Sequence, residues 1–498
     1  LPPLNASFNL NRSITEARSL SSDLQRQLAT GKLSTTYGGL GNERILSLSF
    51  RAEISDIEGY QKSIDQVKLR MDMVLTTLDR LREISENTKS EALSSSVETD
   101  FSNQTTFQST ADARLSEVLS LLNSDVAGRH LFGGRITDAN PVLATSQILD
   151  GFGGKDGFRT VADERRQADL GADGRGRLEV SAPAADTVRL AEDVAGHPFG
   201  FKLSSVSSDL SGTTVSGPSG TPSQIDIQFS ASLPNENETV RISVDLPDGT
   251  SISIELKAQL SGPLETGEFL IGADAATTSA NFSAALGDSL EFVGESELRT
   301  ASMFAAADNF FEFDGANPPQ RVTGPSFATA TTLQDAASSD TVIWYQGEVS
   351  DDPARQSAVI RIDDAVTIGH GTRADENAFK SLIKQLSVLA TDTFDTSLQE
   401  DRDRYREMNE RINSTLGFSD GSQSFNHLIA EFSVVQSSIN AAGERHQASK
   451  DLLGGFVSDV EDTDIYKVSS EILALQTRLE VSLQVTASLG RISLVHYL

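Results

Sequence analysis

The sequence contains no cysteine. That absence excludes a disulfide scaffold, thiolate catalysis and zinc held by cysteine. Aromatic residues are scarce, with one Trp, six Tyr and 24 Phe in 498 residues, which leaves little ring surface for flat cofactors or nucleobases. No apolar run approaches the roughly 18 residues of a membrane span, so no membrane insertion is expected. Leu1 to Asn11 lacks the basic-then-apolar layout of a secretory signal. By these rules the protein is cytosolic, or it leaves by a route that needs no such signal. Positive charge is also in short supply: 41 Lys and Arg face 71 Asp and Glu, for a net charge of −30 and a pI near 4.5. An acidic chain repels phosphate backbones, which argues against a nucleic-acid partner. Residues 201–350 hold 20 acidic residues against 5 basic ones, the mark of a solvated outer surface.

Catalytic and metal-binding patterns are missing too. The histidines are His130, His197, His370, His427, His446 and His496. None pairs at metal spacing and no H-E-x-x-H motif occurs. Gly151 to Gly157 is the densest glycine cluster, but it lacks the Lys-Ser/Thr ending of a phosphate loop and reads as a flexible domain boundary. Asp351-Asp352 and Asp363-Asp364 read as solvated pairs on loops, although paired carboxylates can flank a glycoside. The sequence therefore assigns no catalytic, cofactor-binding or metal-binding residue, and no cofactor is expected.

What is present is helical periodicity at both ends. Leu10, Ile14, Ala17, Leu24 and Leu28 keep helical spacing up to Gly31. Ile57, Tyr60, Ile64, Val67, Met71, Val74, Leu78 and Leu81 alternate steps of three and four. Such a seam is about 35 Å long at 1.5 Å per residue. Phe107, Ala111, Leu115, Val118 and Leu122 mark a third helix, and one more is expected around Phe379 to Ala390. Near the other end Leu428, Phe432, Val435, Ile439, Ala442, His446, Ser449, Leu453, Phe456 and Val460 form a second long seam. The last helix carries Val468, Ile472, Leu475, Leu479 and Leu483, with another stripe at Val481, Val485, Leu489 and Ile492. A helix apolar on two sides must be covered on two sides, and that asks for other subunits.

The middle reads differently. Ile225, Ile227 and Phe229 alternate, as do Val240, Ile242, Val244 and Leu246; Pro247-Asp248-Gly249 then turns the chain toward Ile252, Ile254 and Leu256. Ala275 to Leu290 and Glu297 to Phe311 predict short helices, and Val342 to Tyr345 with Ala358 to Ile362 predict a later strand pair. The expected fold class is mainly α, with long terminal helices in a coiled-coil-like bundle and an inserted, β-rich α+β outer domain. The expected segments are 1–40 (inner helix and loop), 41–145 (first half of the bundle), 146–370 (insert), 371–462 (second half) and 463–498 (last helix).

Three segments resemble the bacterial flagellin family. Gln25 to Lys32 (QRQLATGK) is similar to the family's end of the first helix, Ile45 to Ile54 to the segment that follows its loop, and Val460-Glu-Asp-Thr-Asp-Ile465 to its I-E-D-x-D joint. The resemblance covers about 1–145 and 370–498. Gly128-Arg-His-Leu-Phe-Gly-Gly-Arg135 and the ending Ile492 to Leu498 resemble the hook–filament junction branch (hook-associated protein three type). The loop Ser34 to Gly41 lacks the Asp-Asp-Pro or Asp-Asn-Pro that both branches often carry there, so junction and filament types both stay open.

The resemblance implies a structural subunit of the flagellar axis, not an enzyme. It implies self-assembly into a helical tube that supports swimming, with hook-associated proteins and flagellin as neighbours, an export chaperone, and type III export to the cell exterior. The assembly residues would be the seam and stripe positions named above. The alternative is a flagellin-related surface protein whose insert binds glycans like an adhesin. Trp344 or Tyr345 exposed beside a groove would mark that role.

Overall fold

The computed structural model describes residues 3–95, 97, 104–312, 318–419 and 421–495, with side chains described from 12 to 488 within those ranges. Helix takes 54 % of the chain and strand 18 % in several small sheets, so the fold is mainly α.

The N-terminal helices are α1 (Pro3–Thr30), α2 (Arg44–Ser94) and α3 (Thr106–Leu122). A small hairpin follows, β1 (Asp125–Val126) and β2 (Arg129–His130), then α4 (Thr145–Asp150) and α5 (Phe158–Leu170). The strands β3 (Leu178–Ala184), β4 (Thr187–Glu192), β5 (Lys202–Ser208), β6 (Thr213–Ser219) and β7 (Gln224–Phe229) come next. They lead into β8 (Thr239–Asp245), β9 (Ser251–Gln259) and β10 (Glu268–Leu270). Then come α6 (Ala275–Val293), α7 (Arg299–Phe311), β11 (Gln320–Val322), β12 (Leu333–Asp335), β13 (Val359–Asp363) and β14 (Val366–Gly369). The chain closes with α8 (Asn377–Thr391), α9 (Gln399–Thr415), α10 (Phe425–Glu461) and α11 (Ile465–Val495).

Two compact units share these elements: 1–68, 360–368 and 436–498 in the first, and 69–359 with 369–435 in the second. The divisions cut α2 and α10 in mid-helix. They do not fall at the expected boundaries of 145/146 and 370/371.

The second unit holds two four-stranded sheets, in strand orders β3-β4-β7-β6 and β10-β9-β8-β5. All pairs are antiparallel except β10 with β9. The β8–β9 hairpin matches its expectation, with Asp245 opposite Ser251. Its turn needs Gly249, whose φ of 82° suits a residue without Cβ. Helix α6 lays Phe282, Leu286 and Leu290 into the core between the sheets' apolar faces, and Phe282 meets Phe229 and Phe269 at ring distances of 5.5 and 5.2 Å. A π-helical turn at Gly294–Leu298 links α6 to α7.

Other insert residues join the helical part of the same unit. Arg411 of α9 donates to Asp248 in the β8–β9 turn at 2.8 Å. Lys384 of α8 donates to Asp308 and Glu312 at 2.7 and 2.9 Å. Phe158, Phe310, Phe311 and Trp344 form a run of touching rings. In the same unit Arg80 and Arg114 tie α2 and α3 through Glu117 and Glu91, and Gln108 caps the end of α8 by donating to Leu389 O and Asp392 O.

Two expectations for the middle are corrected. Val342–Tyr345 and Val359–Asp363 do not pair with each other. The first makes an isolated bridge, Tyr345 with Val142, while β13 pairs locally with β14. The backbone of this segment is engaged elsewhere: Val342 N–H donates to Asp156 O at 2.9 Å and Trp344 O accepts from Leu143 N–H at 3.1 Å. The glycine cluster at 151–157 is a built turn: Gly151, Gly153 and Gly154 take positive φ, and a Cβ on Gly157 would lie 2.5 Å from Leu149 O. Asp156 then bonds across to Asp340 O and Val342 N.

Candidate assembly surface

The first unit is where the two ends of the chain meet. Helix α1 must stop at Gly31, which takes a φ of 66° and whose N–H closes the last turn onto Gln27 O at 2.8 Å. Helix α11 must begin after Asp464, whose carboxylate accepts from the N–H groups of Tyr466 and Lys467 at 2.9 and 3.2 Å. Between these two caps the backbones pair as a short antiparallel bridge, Lys32 opposite Asp462. Leu33 N–H donates to Glu461 O at 2.8 Å and Thr463 N–H to Gly31 O at 2.9 Å.

Side chains lock the bridge. Glu461 is 7 % exposed and receives a two-pronged bond from Arg51, at 2.7 and 2.6 Å, and a third bond from the Ser47 hydroxyl at 2.7 Å. Lys32 bonds Asp462 at 2.5 Å. The Arg51 hydrogen bond, followed by those of Ser47 and the charge of Lys32, holds the Glu461 carboxyl down at about 2. Lys32, and secondarily the Ser458 hydroxyl, lowers Asp462.

Helices α1 and α11 run side by side from this clasp. Their shared core is Leu24, Val468, Ile472 and Leu475, with Ala17 and Leu479 against it. The N-terminal part of α2 and the C-terminal part of α10 pair antiparallel: Phe50 with Phe456, Glu58 with Lys450, Tyr60 with His446 and Gln61 with Gln447. The β13–β14 hairpin is pinned to both. Tyr60 donates to Asp364 at 2.7 Å, and His446 Nε2 lies 2.6 Å from Ile362 O.

The expected seam residues distribute as follows. In the first unit Leu24, Ile57, Ile64, Val67, Ile439, Leu453, Val468, Ile472 and Leu475 are buried; in the second, Met71, Val74, Leu78, Leu428 and Phe432 are. Ile14, Val435 and Leu479 are half-buried. Leu28, Phe456 and Leu483 are exposed. At the end of α10 Val457 is buried where strict heptad spacing points to Phe456, because a 3.6-residue turn drifts from a 3.5-residue repeat. The side chains of Leu10, Leu489 and Ile492 lie outside the described residues, as does His496.

Exposed apolar residues gather on these same helices: Leu20 and Leu28 on α1, and Ile465, Tyr466, Leu473, Val481, Leu483 and Val485 on α11. At about 100° per residue, Leu473, Val481 and Val485 fall on the side of α11 opposite Ile472 and Leu475. Sequence reading missed Ser47, Arg51 and Val457. For Arg51 the available signal was a basic residue on a helix facing the acidic Glu461-Asp462 pair.

Among the described residues no group of three His, Asp or Glu could hold a metal, and no helix is long and apolar enough to cross a membrane. Trp344 is fully buried with its indole N–H on Phe311 O at 3.2 Å, and Tyr345 donates to Glu348 O at 3.1 Å. An open groove of about 640 Å³ between α3 and α4 carries Ser116, Ser120, Thr145 and Ser146 but no aromatic ring. No protein-family model matches the chain, and no characterised protein matches it either.

Proposed function

We propose that this chain is a structural subunit of the axial structure of a bacterial flagellum, a flagellin or a hook–filament junction protein, and that it assembles through α1 and α11. The observation that carries the reading is the clasp. Two of the three segments whose sequences resemble the flagellin family, Gln25 to Lys32 and Val460 to Ile465, are distant in sequence and bond to each other in space. The helices they join keep a row of apolar side chains uncovered, as a surface reserved for neighbours would.

On this reading the long parts of α2 and α10 are the coiled-coil-like wall of the axial tube, and 146–370 is the outer insert. The protein is exported with the help of a chaperone, works outside the cell, and has other axial proteins as neighbours. The adhesin reading loses its marker, since neither Trp344 nor Tyr345 offers a ring to a sugar.

Light scattering on the purified chain, seeded with flagellar fragments, tests the proposal. The full chain is expected to extend the seeds. A chain ending at Ile465 is expected to keep the circular dichroism of its second unit and to add nothing. Normal polymer from the truncated chain would overturn the assignment of α11.

A further inference from the structure

In the second unit a groove of about 380 Å³ opens between α2, the turn that follows α9 and the first residues of α10. Three donors on one face of α2, Arg82, Ser85 and Lys89, line it. Ser85 is only 3 % exposed, yet its hydroxyl bonds to no described residue. Lys89 is half-buried and has neither an ion pair nor a hydrogen bond among the described residues. Its Nζ reaches the facing turn, since a Cβ on Gly417 would lie 3.4 Å from it. Arg82 spreads its terminal nitrogens toward Glu86 and Asp79 at 3.4 and 3.2 Å, while its Nε is buried with no partner.

The opposite wall is the start of α10, a helix of 37 residues. Ser424 caps it, accepting from His427 N–H at 3.2 Å, and the first helical bond runs from Leu428 N–H to Ser424 O. The N–H groups of Phe425 and Asn426, two residues that line the groove, come before that bond and have no partner within the helix. The helix adds its positive end at the same place. The connecting turn is built: Phe418 and Gly421 take φ of 49° and 90°, Ser422 donates its N–H and its hydroxyl to Ser419 O at 3.0 and 2.7 Å, and the Phe418 ring meets Phe425 at 6.0 Å.

Buried polar groups in folded proteins are nearly always bonded. Orphaned donors gathered on one wall of a groove, facing open helix N–H groups on the other, call for an acceptor from outside the chain. We infer that this groove binds one tetrahedral oxyanion of the phosphate class. Such an anion turns oxygens to both walls at once: the α2 side supplies Lys89, Ser85 and the Arg82 Nε, and the α10 side supplies backbone N–H groups. The net charge of −30 repels anions from the molecule as a whole, so saturable binding has to come from a local site.

Equilibrium dialysis of the full chain against radiolabelled inorganic phosphate, at fixed ionic strength in chloride, tests this. The wild-type chain should saturate at one phosphate per chain. S85A removes a hydroxyl and no charge, and should weaken binding about tenfold. K89Q should abolish saturable uptake, and K155Q, at an exposed lysine outside the groove, should bind as wild type. Circular dichroism checks the folding of each variant, and S85A decides the matter if K89Q fails to fold. Sulfate should compete with the label, and acetate at the same concentration should not. The site would be overturned by any of four results: no saturable uptake by wild type, wild-type affinity in S85A, a loss in K155Q as large as in K89Q, or equal competition by acetate.

Discussion

Replacing Glu461 with Gln isolates the clasp that joins the chain's ends. The change keeps shape and removes one charge. Glu461 is nearly buried and held at about 2 against an ordinary value of 4.5. At about 1.4 kcal/mol per pKa unit, that difference corresponds to roughly 3.5 kcal/mol as a ceiling. Its cationic partners are wetter: the Arg51 and Lys32 side chains are 46 % and 41 % exposed. Solvent screening of such partners brings the figure down to about 1–2 kcal/mol.

The sign follows from the depressed value. The folded carboxyl gives up its proton more readily than the unfolded one, so its contribution is complete above the unfolded pKa. It is then lost as pH falls from about 4.5 toward about 2. Amide hydrogen exchange at Leu33 and Thr463 reads the local opening directly, because those N–H groups close the bridge. At neutral pH the E461Q chain should exchange there about tenfold faster, since about 1.4 kcal/mol is a tenfold change. The difference should fade as the pH approaches about 2. Identical protection in the two proteins at neutral pH would refute the reasoning, because the charge would then contribute nothing to the join.

Two substitutions probe the two units separately. Leu453→Asp sets a carboxylate into a site that is 8 % exposed and should cost several kcal/mol, whereas Ala448→Asp on the exposed side of the same helix should stay within about 0.5 kcal/mol; equal melting temperatures would place residue 453 in solvent. Phe282→Ala empties the centre of the three-ring contact with Phe229 and Phe269 and should lower stability by about 3–5 kcal/mol in urea, with a change below about 1 kcal/mol showing that α6 is not the keystone of the insert.

The legible parts of the fold were those where one side of an element is buried and the other wet. Strands β7 and β8 alternate buried and open positions along their length, and the Pro-Asp-Gly turn fixes the register between β8 and β9. Helices α6 and α7 declared themselves through apolar residues at helical spacing. Strands β3, β5 and β6 gave almost no signal. Each is an edge strand, with most of its side chains open on both faces, so period-two burial never imprints on the sequence. Strand β4 is central and does alternate, but Arg189 interrupts its apolar pattern to meet Asp226 at 2.7 and 2.9 Å. The seams were legible as helices that seek a partner, but not in their residue-by-residue pairing. Spacing shows which side of α10 is apolar; it cannot show that Gln61 faces Gln447 or that Arg51 reaches Glu461, since those pairings lie about 400 residues apart in sequence.

The clasp also bears on why the ends of the chain carry so much uncovered apolar surface. A pair of helices can bury only the stripe each turns toward the other, and in α1 and α11 that stripe is Leu24 against Val468, Ile472 and Leu475. Leu473, Val481 and Val485 lie on the far side, and no rotation of α11 hides both stripes against one partner helix. Covering a fully exposed side chain of this kind is worth about 1.5–3 kcal/mol, yet each new contact must first offset the loss of translational and rotational freedom on association, about 4–15 kcal/mol. One neighbour touching one residue therefore gains nothing. A tube in which every α11 meets several copies counts the same stripe several times over, and association becomes favourable only once enough neighbours are in place. That is the condition for growth on a seed rather than by random pairing. On the proposed self-assembly the polar clasp is the natural place to set the angle of α11 before any neighbour arrives: Arg51, Ser47 and Lys32 fix where the helix starts, and the apolar far side would then meet its partners in one register. If the clasp sets that angle, the E461Q chain should still extend seeds but with a longer lag and a higher critical concentration, even where its second unit melts at the wild-type temperature. An unchanged lag would mean that neighbours, and not the chain's own joint, orient the last helix.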